Sequence, residues 1–184
     1  GAVVSTLKTD ATLSVTAIVS GPTDDRQRIY GPLTMKSQGA LTFDGVSGKY
    51  TYVFPSVFPA QAIAPYNTTA PFVRPNVAGT YTLWVYVNQS ITIDGQTIRV
   101  AANGVVDFAV GGAAAIQPRQ VVADAACNSC HVNVQAHGGS RQTVGSQCTN
   151  CHTRGSVDRT VGAKGAACTA SAQCGGNGAG WESC

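Results

Sequence analysis

The chain has no cysteine before Cys127 and no histidine before His131, so its N-terminal part can hold neither a disulfide framework nor a Cys/His metal or catalytic site. Charge is also scarce. Only 11% of the 184 residues are charged, the net charge is +3, and no basic run occurs, which leaves no footprint for nucleic acid or for an acidic lipid surface. No apolar run approaches the roughly 18 residues of a membrane-spanning helix. The chain starts at Gly1 with neither an initiator Met nor a charged-then-apolar leader, as expected of a mature, processed or excised product.

What is present divides at the cysteines. Up to about Val110 the pattern is short, alternating and β-rich. Leu13, Val15, Ala17 and Val19 alternate with Thr12, Ser14, Thr16 and Ile18, the period of two that a half-buried strand requires. Further strands are predicted at Ala40 to Phe43, Lys49 to Phe54, Thr80 to Val87, Ile91 to Ile93, Thr97 to Ala101 and Val105 to Val110. Asp94-Gly95 predicts a type I′ hairpin, because both central positions need positive φ. Pro55 to Pro75 holds five prolines and no period, so it reads as a long crossover loop. The N-terminal fold class expected is all-β, a Greek-key sandwich or split barrel over residues 1–112. Residues 113–126, small, polar and Pro-containing, form a linker.

From Cys127 onward periodicity disappears, and few large apolar side chains remain. Such a segment cannot repay its ordering entropy with a protein core. The expectation is a segment over residues 127–184 with little regular secondary structure, packed by something other than side chains.

Two complete CxxCH pentapeptides name the candidate: Cys127-Asn128-Ser129-Cys130-His131 and Cys148-Thr149-Asn150-Cys151-His152. In this signature two thiols form thioethers to a haem, and the adjacent His becomes the proximal iron ligand. Two covalently attached c-type haems are therefore expected. Cys130 and Cys148 enclose 17 residues, so the four thiols also fit a zinc pattern. A four-thiolate zinc site, however, has no use for a His after each pair. The chain's remaining histidine, His137 in His137-Gly138-Gly139-Ser140-Arg141, is then a distal ligand. Reach assigns it to the haem on Cys148 and Cys151, since returning to the first haem would use most of the roughly 20 Å that six residues can span.

Two irons with two imidazoles each would need four histidines, and the chain has three. One iron is left five-coordinate, served by another side chain such as Met35, or served from outside this sequence. Met35 otherwise reads as a plain strand residue. Cys168, Cys174 and Cys184 make no CxxCH and cannot pair completely among themselves. A Cys168 to Cys174 disulfide, a further motif cut short at Cys184, and a bond from Cys184 to another chain all stay open.

These residues resemble the outer-membrane decahaem c-type cytochromes of metal-respiring bacteria, the OmcA/MtrC type. The likeness is carried by Arg119-Gln120-Val121-Val122 leading into CNSCH, by His137-Gly138-Gly139-Ser140-Arg141, and by CTNCH. Gly48-Lys49-Tyr50-Thr51-Tyr52-Val53-Phe54 and Gly79-Thr80-Tyr81-Thr82-Leu83-Trp84 are similar to its β domains. The resemblance implies Greek-key β domains alternating with multihaem domains at the outer surface of a Gram-negative outer membrane, with the periplasm as the alternative place. It also implies electron transfer to other multihaem cytochromes or further haem domains, and to extracellular acceptors such as metal oxides or flavins. A homo-oligomer or filament is a further partner class. The chain is shorter than those proteins and opens only one haem domain, so it resembles a fragment or a reduced relative.

Two rival functions go with the same residues. A ligand-deficient haem would make a reductase, and a zinc-loaded version would make an adhesion module. The β region offers no catalytic constellation, which leaves it a structural or docking role.

Overall fold

In the computed structural model, residues 4–24, 26–59, 78–113, 115–142 and 145–152 are described. Six strands make the N-terminal part: β1 Leu13–Gly21, β2 Gln27–Thr34, β3 Ala40–Asp44, β4 Lys49–Val53, β5 Gly79–Ile93 and β6 Gln96–Val110. They form a four-stranded antiparallel sheet of order β2-β1-β5-β6 and a β3-β4 hairpin. The connection that returns β5 to lie beside β1 supplies the Greek-key crossover.

The sandwich follows from alternation. On β1 the odd positions Val15, Ala17 and Val19 face the hairpin, and on β5 Tyr81, Leu83, Val85 and Val87 do the same. Leu41 of β3 and Tyr50 and Tyr52 of β4 close the layer from the other side. Tyr30 adds an aromatic cluster, with its ring 4.9 Å from Phe54 and 6.4 Å from Phe58. Met35 lies in this core, 7% exposed and packed with Val15, Ala17 and Leu41, so its thioether is a packing group.

The hairpin expected at Asp94-Gly95 is there, with φ of 49° and 76° and Ile93 paired to Gln96. Its arms are longer than the sequence implied. Fifteen residues on each side pair without interruption, so the segments read separately at Ile91 to Ile93, Thr97 to Ala101 and Val105 to Val110 belong to two continuous strands. Strand β2 was not legible at all, because Gly31-Pro32 breaks its alternation and its start is the polar Gln27-Arg28. Gly31 is required by close approach: at φ +95° a Cβ there would lie 2.5 Å from the Ala17 carbonyl. As an edge strand, β2 tolerates the missing N–H of Pro32.

One expectation about burial changes. Alternation predicts a half-buried β1, yet the strand is buried on both faces from Val15 to Gly21. The even positions Thr16, Ile18 and Ser20, like Thr82, Trp84 and Tyr86 of β5, point away from the sandwich and are nevertheless shielded. The cover over Ile18, Trp84 and Tyr86 comes from the C-terminal segment, which folds back on the outer face of the sheet.

That segment contains α1 Asp124–His131, a small hairpin of β7 Gln135–Ala136 and β8 Arg141–Gln142, and a 3-10 segment Gly145–Asn150. Little regular structure was expected here, and short elements are what is found. Most of Pro55 to Pro75, together with Cys168, Cys174 and Cys184, lies outside the described residues.

Candidate haem-binding site

The first pentapeptide sits on α1. Asp124 occupies the first turn, where a carboxylate complements the helix N-terminus, and His131 is the last helical residue. Helical spacing puts Cys127 on the same face as Cys130 and His131, three and four residues on, the geometry that two thioethers and a proximal imidazole need. The helix buries none of its residues. It is tied to the second motif where the Ser146 amide donates to the Asp124 carboxylate at 2.7 Å.

The second pentapeptide closes the 3-10 segment. The amides of Cys151 and His152 both donate to the Cys148 carbonyl, at 3.2 and 2.9 Å, which bends the motif into a tight turn. Cys151 is 2% exposed and packs with Ile18, Trp84 and Tyr86 of the sheet. Asn150 is fully buried. Its Oδ1 accepts from Ser20 Oγ at 2.5 Å and from Arg26 Nη2 at 2.6 Å, and its amide nitrogen donates to Gln147 at 2.6 Å. Burial, and then the neighbouring Arg119, push Arg26 down to about 10, so it remains a cation at neutral pH.

His137 is carried by the β7-β8 hairpin. The loop His137-Gly138-Gly139 runs at φ of 52°, 66° and 79°, a left-handed path that the two glycines make accessible. The hairpin is fixed to the sheet at several points. Arg141 Nη2 donates to the Tyr86 hydroxyl at 2.7 Å, Asn103 Nδ2 donates to the Gln142 carbonyl at 2.8 Å, and Gln142 Nε2 donates to the Arg99 carbonyl at 3.0 Å. Trp84 Nε1 in turn donates to Asn103 Oδ1 at 3.1 Å.

These two anchorages bring His137 and His152 together. Their ring centres are 6.3 Å apart and their planes differ by 21°. A ligating nitrogen stands about 2 Å from its metal and about 1 Å from its own ring centre, so two imidazoles holding one iron from opposite sides have centres about 6 Å apart. Trp84, Val134, Ala136, Arg141, Cys148 and Cys151 line the same cleft, of about 370 Å³ counting the space open to solvent. Two thiols, two neighbouring imidazoles and an apolar wall are the donor set that a bis-histidine c-type haem takes. The residues fit the group. Partial burial, then Arg141, then His152 lower the pKa of His137, which favours the neutral, ligating imidazole.

Residues 119–173 match the family model for the outer membrane cytochrome MtrC/MtrF-like proteins, domains II/IV. The resemblance read from the sequence holds over that segment. A cytochrome of that family implies c-type haem and an outer-membrane setting. No significant match was found among curated proteins or among solved structures. No helix among the described residues is long and apolar enough to cross a membrane.

Of the residues singled out in the sequence, the structure gathers Cys148, Cys151, His152 and His137 around one cleft. Cys127, Cys130 and His131 stand apart on α1. Among the described residues no three His, Cys, Asp or Glu side chains converge as a metal ion would require. Sequence reasoning missed the sheet's part in the site. Trp84 and Tyr86 carry it, and the signal was present: from Leu83 to Val87 β5 is apolar or aromatic on both faces, which an exposed outer face would not need.

Proposed function

We propose that this chain is an extracytoplasmic multihaem c-type cytochrome segment that transfers electrons, at the cell surface, between neighbouring haem domains and extracellular acceptors. The observation that carries the reading is the 6.3 Å separation of His137 and His152 beside Cys148 and Cys151. An iron held by two imidazoles has no open position for substrate, which favours electron transfer over chemistry on a ligand. When bound, the haem supplies a one-electron ferric/ferrous couple.

The chain's own residues do the rest. Cys127, Cys130, Cys148 and Cys151 would tether two haems by thioethers, and His131 and His152 would ligate their irons. His137 would supply a second imidazole to the haem on Cys148 and Cys151. Trp84, with Ile18 and Tyr86 behind Cys151, excludes water from the cleft wall. The division into a β domain over 1–112, a linker over 113–126 and a haem-bearing segment over 127–184 goes with this reading.

The test is a mass spectrum of the intact denatured protein with an absorption spectrum of the same sample. Two covalent haems are expected. Replacing Cys127 and Cys130 by Ser should remove one, and unchanged haem content would sink the assignment.

A second reading concerns the first haem alone. With His137 and His152 serving one haem, no fourth imidazole of this sequence remains to pair with His131. An open axial position there would make that iron a reductase centre. Cyanide or nitrite binding to one haem of the pair would favour this reading, and wholly low-spin spectra would remove it.

A further inference from the structure

Among the described residues lining the cleft between His137 and His152, Arg141 alone carries a permanent charge. Its place there is built, since three independent contacts fix the guanidinium. It lies over the Tyr86 ring at 4.3 Å, donates to the Tyr86 hydroxyl at 2.7 Å, and donates through Nη1 to Ser140 Oγ at 2.7 Å. Ser140 Oγ then donates to the His137 carbonyl at 2.8 Å, so the arginine is tied to the backbone that carries the distal imidazole. Tyr86 is 3% exposed and sits on β5, a strand paired on both sides, which makes the anchor rigid.

A cation held at a fixed place in the cleft acts on any redox group there in a fixed direction. Reduction adds one electron, and a positive neighbour stabilises the added charge. The effect is larger where burial keeps water and salt from screening it. Haem potentials respond to such local charge and burial as well as to the axial ligands.

We propose that Arg141 sets the reduction potential of the haem on Cys148 and Cys151, holding it more positive than its bis-histidine ligation alone would, with Tyr86 of the β domain as the anchor that aims the charge. The proposal rests on the haem reading above. It gives the β domain a functional role, because the sheet then takes part in deciding the direction of electron flow between the two haems.

The experiment is a potentiometric titration of the haem-loaded full chain, followed by absorption, with haem counted by mass spectrometry in each variant. Arg141→Gln should lower the midpoint of one haem while haem count and low-spin spectrum stay unchanged. Arg141→Lys keeps the charge and should stay close to the parent midpoint. Tyr86→Phe removes one anchoring hydrogen bond and should shift the same midpoint the same way by less. Unchanged midpoints in Arg141→Gln would overturn the proposal and leave the haem reading intact. A high-spin Arg141→Gln variant matched by Arg141→Lys would make the residue a packing group and overturn it too. A parent chain without covalent haem would overturn the haem reading itself, and this proposal with it.

Discussion

The rings of His137 and His152 lie near parallel with centres 6.3 Å apart although they belong to different elements, one on a two-strand hairpin and the other just after a 3-10 turn. What sets the gap is the sheet beneath them. The hairpin is fastened to β5 and β6 through Tyr86, Asn103 and Arg99, and the turn is fastened to β1 and the start of β2 through Ser20 and Arg26. Paired strands have a fixed spacing, so two short loops seated on them keep a fixed separation without a core of their own.

If that gap is an iron site, His137→Ala leaves both thioether sets intact and removes one distal ligand. The expected outcome is two haems by mass spectrometry, with one of them converted from low-spin to high-spin. Its potential should rise as an electron-donating ligand is lost. A variant with a fully low-spin spectrum and unchanged potentials would return His137 to a surface histidine beside a glycine turn.

Asn150 tests the other fastening. Replacing it by Ala leaves Ser20 and the buried Arg26 cation without their shared acceptor, and hydrogen bonds to charged groups are worth about 1.5–3 kcal/mol. A loss of about that size in thermal or denaturant unfolding is expected. Asn150→Asp keeps an acceptor and adds an opposite charge beside Arg26, so it should lose far less. Equal losses in the two variants would mean that the amide's donation to Gln147, which both variants lose, matters more than the shared acceptor.

The β fold was legible because its signals are local. Alternation along Leu13 to Val19 and the Asp94-Gly95 turn depend on period and φ alone. The two pentapeptides were legible because their chemistry fixes their spacing. Strand β2 was hidden, since what makes it a strand is pairing with β1 in another part of the chain, against its own Gly31-Pro32. The docking of the C-terminal segment was hidden for the same reason. Ser20 with Asn150 and Tyr86 with Arg141 are polar pairs separated by 130 and 55 residues, and neither member alone differs from a solvated side chain. The segment therefore has a source of order in the sheet, which the shortage of large apolar residues did not reveal.

Two carboxylates give the molecule an acid-side stability limit. Asp44, in the β3-β4 turn, accepts from Ser47 Oγ at 2.6 Å and from the Val46 amide at 2.9 Å, and Asp10 accepts from the hydroxyl and amide of Thr12 at 2.6 and 2.8 Å. In each case the side-chain hydrogen bond is the chief cause that holds the pKa below the ordinary 3.8. A folded pKa below the unfolded one means that the contribution is complete above the unfolded value and fades as pH falls through the folded value. The melting temperature should thus fall on acidification from about pH 4 toward pH 2. Asp44→Asn should flatten that fall, modestly, because both carboxylates are exposed; a steeper fall would contradict the assignment.

The two haem motifs should differ in how much they depend on their cofactors. Helix α1 buries no residue, and it is tied to the segment of the second motif by the bond from Ser146 to Asp124. The stretch from Val134 to His152 is instead held by Tyr86, Asn103, Ser20 and Arg26, and it covers Ile18 and Trp84. Local opening follows buried contact, so the free energy that protects backbone from protease should be small around α1 and larger around the second motif. In protein matured without haem, a nonspecific protease should cut first within residues 121–133. Cleavage between Val134 and Gln142 should come later, and the paired strands β1 to β6 should survive both. Haem attachment at Cys127 and Cys130 should suppress the first cut strongly, because the macrocycle would supply the buried surface that α1 lacks. Replacing Trp84 by Ala should erase the difference between the two regions, since losing a buried indole costs about 3–5 kcal/mol and would loosen the second motif from the sheet. Were residues 121–133 no easier to cut than 134–142 in the haem-free chain, the sheet would not be what orders the second motif.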